Sequence, residues 1–197
     1  MIKQAFKAHL KSLNFQLPDK DLELLSSKLT IHKKIKRFDF LLKEGEIASN
    51  IYLVLKGNLR SFIIQNGQEY CDVLGCPNEI YSNFISFITH QPTRYNLQAL
   101  SNTELLGMSR ADYYYLASNN WNIERLWRKE IERLFIYRVT RDHILRLNAK
   151  NRIQHLLQIR PLVFQQVPDK YLASYLRMSP ETFSRELKAM NIKPSAK

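Results

Sequence analysis

Several building blocks are scarce in this chain of 197 residues. Its two cysteines, Cys71 and Cys76, are too few for a disulfide framework and lack nearby partners for a zinc site. No run of about 18 apolar residues exists, and lysines interrupt the first residues, MIKQAFKAHLKSL, so neither a membrane span nor a signal peptide is expected. We therefore expect a reduced, cytoplasmic protein with no membrane contact. The role of the two cysteines stays open.

Groupings typical of catalysis are also missing. The histidines of the strand-rich region, His32 and His90, stand alone, and the sequence has no His-x-His, no Gly-x-Ser-x-Gly and no glycine-rich phosphate loop. We predict no metal, no cofactor and no enzymatic activity. A cupin-like enzyme stays an alternative, because cupins share a roll-like barrel, but their metal needs clustered His and Glu.

The charge is strongly positive and unevenly placed. The formal net charge is +12, and residues 121–197 carry 16 Lys and Arg against 7 Asp and Glu, whereas residues 1–120 carry 14 against 11. Such an excess is the electrostatic footprint of phosphate binding, although a solvated basic face would look the same.

The basic part contains the most informative stretch, PDKYLASYLRMSPETFSRELKAM, residues 168–190. It predicts two short helices joined by a tight turn, the first capped by Asp169 and the second by Ser179, with Pro180 at the first helical position. Phe183 and Leu187 would pack the second helix onto the first. The opposite face carries polar side chains able to reach base edges and phosphates: Glu181, Thr182, Arg185 and Lys188.

The run YLASYLRMSPETFSRE resembles the DNA-binding helix-turn-helix of the Crp–Fnr superfamily, the cyclic-AMP receptor protein and its relatives. The resemblance implies base-reading roles for Glu181 and Arg185 and phosphate contacts for Ser179 and Thr182. Lys188 and Lys170 are expected to add DNA contacts.

Three residues depart from the family pattern. Pro180 replaces a frequent arginine, Glu186 replaces an apolar residue, and Arg177 stands at a turn position where glycine is usual, at a cost of about 1 kcal/mol. Few residues follow Met190, so the resemblance implies a short C-terminus without a complete β-hairpin wing.

Residues 31 to about 110 have short apolar runs broken by turn residues, and Asn66-Gly67 is a strong hairpin signal. This spacing predicts a small antiparallel barrel or sandwich. A resemblance to the cyclic-nucleotide-binding β-roll of the same superfamily lies in LLKEGEIASNIYLVLKGNLRSFI, where Gly45 and Gly57 match turn glycines.

The nucleotide-holding residues of that β-roll are not matched. The family's Gly-Glu pair is replaced by Ser82-Asn83, and Thr93 stands where a phosphate-binding arginine is expected, with Arg94 one residue late. A shift of one residue on a strand turns a side chain to the opposite face. We predict that cyclic AMP is not bound tightly and that any other ligand would meet Asn83, Thr93 and Arg94; the effector is unknown.

Residues 121–147 contain neither Gly nor Pro and predict a long helix. In the family this is the dimerisation helix, so the resemblance implies a homodimer. The expected interface residues are Ile123, Trp127, Ile131 and Leu134.

The fold class predicted from these features is α+β, with three parts. Residues 1–117 would form an antiparallel β-roll with flanking helices, residues 118–148 the dimerisation helix, and residues 149–197 a helix-turn-helix domain. The predicted function is transcription regulation, with a homodimer reading palindromic double-stranded DNA through the helix at 180–189. RNA polymerase is considered as a further partner. A ligand-sensing protein that has lost DNA binding is the first alternative, ahead of the cupin-like enzyme.

Overall fold

A computed structural model describes residues 2–193 of the chain and gives that part an α+β fold with nine helices and eight strands. The helices are α1 (Ile2–Ser12), α2 (Asp19–Ser27), α3 (Phe84–Thr89), α4 (Arg110–Asn119), α5 (Trp121–Ile144), α6 (Ala149–Ile159), α7 (Pro161–Gln166), α8 (Asp169–Tyr175) and α9 (Pro180–Ala189). The strands are β1 (Ile31–Ile35), β2 (Phe40–Leu42), β3 (Asn50–Lys56), β4 (Leu59–Gln65), β5 (Gln68–Gly75), β6 (Ile80–Tyr81), β7 (Asn96–Ala99) and β8 (Thr103–Ser109).

The strands form two antiparallel sheets of four, in the orders β1-β8-β3-β6 and β2-β7-β4-β5. Side chains alternate across β3, as expected for a strand buried on both sides. Tyr52 and Val54 join the core of the β-roll, whereas Ile51 and Leu53 pack toward helices. The predicted β-roll is confirmed, as is the hairpin turn between β4 and β5, where Asn66 and Gly67 both have positive φ, 52° and 73°.

Helices α1, α2 and α4 and the beginning of α5 cover the outer side of β3 and share one hydrophobic cluster. Ile123 and Trp127 lie inside this cluster, 0% and 5% exposed, with the Trp127 ring 4.8 Å from the ring of Tyr113. The expectation that these two residues form a dimer interface is therefore wrong. The apolar stripe of α5 begins by packing within the chain itself.

We call residues 149–193 the reader segment, after the DNA-reading role that the sequence predicts. The segment consists of helices α6 to α9 and packs on β5. Cys71, Leu74 and Cys76 of the β5 region share a hydrophobic cluster with helix residues that include Leu172 and Phe183. We call this contact, together with the adjoining part of α5, the seam. It joins the β-roll and the reader segment into one packed unit.

The two last helices have the predicted spacing. Ser179 caps α9 by accepting a hydrogen bond from the backbone N–H of Thr182 at 3.2 Å. Arg177 has a left-handed backbone, with φ 54°, which confirms the strained turn position. One detail differs: the N-cap of α8 is Pro168, and Asp169 is the first residue of that helix.

Candidate functional site

One face of α9 is exposed and polar. Phe183 and Leu187 on its inner face are 0% and 2% exposed and hold the helix on the rest of the reader segment. Outside, Glu181, Arg185 and Lys188 are exposed at a spacing of four and three residues, which aligns them along one side. The predicted residues are thus brought together on a supported, outward-facing helix.

The beginning of α9 adds polar groups to this face. Ser179 is exposed and Thr182 is half-buried, and Lys170 on α8 is exposed nearby. The pKa of Glu181 is lowered, because its carboxylate is hydrogen-bonded by its own backbone N–H and by Ser179. At neutral pH the face therefore offers both an acceptor and cations.

A cleft of about 660 Å³ separates the beginning of α9 from the β4–β5 hairpin. Lys170, Ser179 and Pro180 line one side, and Glu69 and Tyr70 of the hairpin line the other. The guanidinium of Arg177 lies 5.2 Å from the centre of the Tyr70 ring. In this arrangement the hairpin, with an acidic side chain, adjoins the groups expected to meet phosphates.

A second cavity, of about 320 Å³, lies between the β-roll and α5. Asn83 lines it and also caps α3 by accepting from the backbone N–H of Ser86 at 2.9 Å. Thr93 and Arg94 do not line it, which corrects the expected ligand set. Thr93 is buried and its hydroxyl accepts from the N–H of Tyr95 at 2.9 Å, whereas Arg94 is exposed.

The guanidinium in this second cavity is Arg138 on α5, and it is already paired. Its Nη1 lies 2.6 Å from Oδ2 of Asp72, a carboxylate only 5% exposed. Burial disfavours the charged form of Arg138, but attraction to the carboxylate of Asp72 outweighs burial, so the pKa of Arg138 is raised. A cyclic phosphate entering here would compete with that ion pair.

Two further ion pairs cross the seam. Arg141 Nη1 lies 3.0 Å from Asp72 Oδ1, and Arg160 Nη2 lies 2.7 Å from both carboxylate oxygens of Glu79. Burial opposes the charge on Arg160, and Glu79 more than offsets it, so the pKa of Arg160 is raised. These pairs connect the β-roll to α5 and to the reader segment.

The exposed apolar residues of α5 follow those that it buries. Ile131, Phe135 and Val139 are spaced four residues apart and are 38%, 69% and 54% exposed, with Leu134 half-buried beside them. The dimer-interface role expected for Ile131 and Leu134 stays a prediction, and Phe135 and Val139 are the more exposed members of the stripe.

The chain was compared with known proteins in three ways. A family model described as the cyclic nucleotide-binding domain matches residues 32–120. FixK2 from Bradyrhizobium japonicum is 20% identical over 82% of this chain and 84% of its own, with a TM-score of 0.68. The catabolite activator protein of Thermus thermophilus is 24% identical over 91% and 86%, with a TM-score of 0.52.

A protein from Eubacterium rectale, described as a transcriptional regulator of the Crp/Fnr family, has a TM-score of 0.66 at 14% identity over 89% of this chain and 84% of its own. This chain has the Crp–Fnr fold. The resemblance to the Crp–Fnr superfamily is thereby confirmed at the level of the fold, and residues 32–120 are similar to the cyclic nucleotide-binding domain. No curated protein sequence matches the chain.

Among residues 2–193, no three His, Cys, Asp or Glu side chains are grouped so that they could hold a metal ion. Within the same range, no helix combines the length and the apolar character needed to cross a membrane.

Proposed function

We propose that this Crp–Fnr-like chain is a cytoplasmic transcription regulator that binds double-stranded DNA as a homodimer. The observation that carries the proposal is α9, whose inner face is anchored by Phe183 and Leu187 and whose outer face presents Glu181 and Arg185. A helix supported on one side and polar on the other fits the major groove. The basic excess of residues 121–197 supplies attraction to phosphates.

Each residue of the face has a distinct proposed role. Arg185 and Glu181 would contact base edges, because a guanidinium recognises guanine and a carboxylate recognises the amino group of cytosine. Ser179, Thr182, Lys170 and Lys188 would contact phosphates and set the position of the helix without reading sequence.

The proposed dimer uses the exposed part of α5. Ile131, Phe135 and Val139 form an apolar stripe that a second copy could cover by two-fold pairing. The matching half-sites would then lie about one turn of B-DNA apart, near 34 Å. Sedimentation showing a monomer at micromolar concentration would contradict this part of the proposal.

We propose that the chain has three parts, residues 1–117, 118–148 and 149–197, and that contacts across the seam control DNA binding. With the reader segment docked, the β4–β5 hairpin adjoins the beginning of α9. A duplex whose phosphate contacts Ser179 would have to enter the cleft between α9 and that hairpin, which carries the acidic Glu69. We infer that DNA binding favours an arrangement in which the hairpin has moved away from α9. Contacts across the seam would then shift the population toward the arrangement that does not bind DNA. RNA polymerase is an expected partner of the DNA-bound dimer.

Tight binding of cyclic AMP is not part of the proposal. In the second cavity the guanidinium of Arg138 is paired with Asp72, and Asn83 lies at the site expected to hold a ribose hydroxyl. A buried phosphate without its own cation is poorly bound. Calorimetry is the test: low-micromolar affinity for cyclic AMP would overturn this statement.

The decisive experiment is selection from a random duplex pool with the full chain. We expect enrichment of a palindrome, and Arg185→Ala should reduce discrimination at one base pair per half-site by about 1–3 kcal/mol. Lys188→Ala should weaken all sequences alike and lower the salt dependence by about one phosphate.

A matched control is Arg128→Ala, which removes an exposed arginine from α5, on a different element. It should leave discrimination unchanged. Absence of any enriched duplex would refute DNA reading and favour a ligand-sensing protein that has lost it.

A further inference from the structure

A third cavity, of about 340 Å³, lies in the seam itself. Its walls come from the β5–β6 region, from α5, from the end of α6 with Arg160, and from α8, so the β-roll, α5 and the reader segment all contribute to it. Most of the lining is apolar, including Leu74, Ile80, Ile144 and Ile159. Its size and character are those of pockets that take small molecules.

Two buried donors in this cavity lack partners. Tyr81 and Arg141 are 4% and 5% exposed, and within residues 2–193 neither Oη of Tyr81 nor Nε of Arg141 has a hydrogen-bond partner. The two terminal nitrogens of Arg141 are engaged, Nη1 with Asp72 and Nη2 with the carbonyl oxygens of Cys71 and Tyr175 at 3.4 and 3.3 Å. Buried polar groups are normally satisfied, so these two donors indicate an acceptor that binds here.

The acceptor is expected to be an anion. Four arginines, at positions 133, 138, 141 and 160, surround the seam, and they pair with only three carboxylates, Glu130, Asp72 and Glu79. Burial raises the pKa of Tyr81 well above its usual value, so its hydroxyl stays a neutral donor. One negative charge would balance the set.

We propose that the seam cavity binds a small monocarboxylic acid with an apolar body, its carboxylate accepting from Tyr81 and Arg141. The acid's apolar part would contact the isoleucine and leucine walls. Because the occupant would touch the β-roll, α5 and the reader segment at once, it would stabilise the docked arrangement. The site adjoins the cavity lined by Asn83 and differs from it in Arg141 and Arg160, which line the seam cavity alone. The residues that border both cavities are Val73, Ile80, Tyr81, Leu134 and Tyr137.

The test uses the full chain without DNA, so it is independent of the proposed DNA binding. Octanoate, 4-phenylbutyrate and 1-naphthoate are titrated by calorimetry. We expect saturable binding of at least one of them, with one molecule per chain. Tyr81→Phe removes a single hydroxyl and should weaken that affinity about tenfold. Its melting temperature without probe should not fall, because the lost group has no partner to lose.

Two controls separate this site from its surroundings. Tyr95→Phe makes the same chemical change in a residue that lines the neighbouring cavity alone, and should leave the affinity unchanged. 1-Octanol keeps the apolar body without the charge, and should bind at least about tenfold more weakly than octanoate. The proposal is overturned if none of the three acids binds, if Tyr81→Phe binds as tightly as the unmodified chain, if Tyr95→Phe weakens binding equally, or if octanol matches octanoate.

Discussion

Replacing Glu79 by glutamine should loosen the seam by a measurable amount. The carboxylate of Glu79 receives two hydrogen bonds of 2.7 Å from Arg160 and one of 3.0 Å from the backbone N–H of Cys76. Its side chain is 28% exposed and that of Arg160 13%. A charged hydrogen bond contributes about 1.5–3 kcal/mol, and partial exposure places this one near 2 kcal/mol.

The assay is hydrogen exchange at a backbone amide that spans the seam. The N–H of Cys71 on β5 donates to the hydroxyl of Ser174 on α8 at 3.0 Å, so its protection depends on docking of the reader segment. A loss of about 2 kcal/mol raises the population of open molecules, and therefore the exchange rate, about 30-fold.

The matched control is Glu104→Gln, which removes a carboxylate bound to His32 within the β-roll. Exchange at Cys71 should stay as in the unmodified chain. Unchanged protection in Glu79→Gln, or an equal rise in both variants, would refute the argument that the Arg160–Glu79 pair holds the reader segment in place.

Three other predictions concern stability, measured by denaturant unfolding. Gly57→Ala should lower the free energy of unfolding by about 3 kcal/mol, because φ at this position is +86° and a Cβ would lie 2.6 Å from a backbone oxygen. Gly67→Ala should lower it by only about 1 kcal/mol, because φ is +73° but the space around a Cβ is open. Equal losses in the two variants would contradict this. Glu130→Gln should lower the free energy of unfolding by about 3 kcal/mol, because it removes the negative charge that faces the buried ring of His9, whose Nδ1 and Nε2 both face acceptors. Burial would raise the pKa of Glu130, but His9 and a neighbouring arginine lower this pKa overall. The stability that the Glu130 carboxylate contributes is therefore present above about pH 4.3 and is lost as pH falls through the lower pKa of the folded state. An equally steep loss of stability in acid in Glu130→Gln would refute this. Arg177→Gly should change the free energy of unfolding by less than about 1 kcal/mol. Glycine adopts the left-handed backbone without strain, which stabilises the folded state, but it also gives the unfolded chain more entropy, which opposes that gain. A loss above about 2 kcal/mol would show that the arginine side chain itself stabilises the turn.

Local signals predicted the elements well. Ser179 and Pro180 determine where α9 begins, and Asn66-Gly67 determines the hairpin, because each residue acts on its own backbone. The same locality explains the wrong interface residues. An amphipathic pattern shows that Ile123 is buried but not whether its own chain or a second copy covers it.

The seam could not be predicted from sequence. Asp72 and Arg138 are separated by 66 positions, and Glu79 and Arg160 by 81, so nothing local relates them. Thr93 and Arg94 failed as cavity residues for a different reason: they lie in the loop before β7, where no strand periodicity fixes which side chain turns inward. The polar face of α9, in contrast, follows from helical periodicity alone.

The seam also covers every thiol of the protein. Cys71 and Cys76 are the chain's two cysteines, they are 0% and 3% exposed, and burial raises their pKa to about 12 and about 11. A thiol so protonated and so covered reacts slowly with alkylating reagents. The rate of maleimide labelling should therefore measure how often the β-roll and the reader segment separate at the seam. The native cysteines report this opening, so no engineered residue is needed.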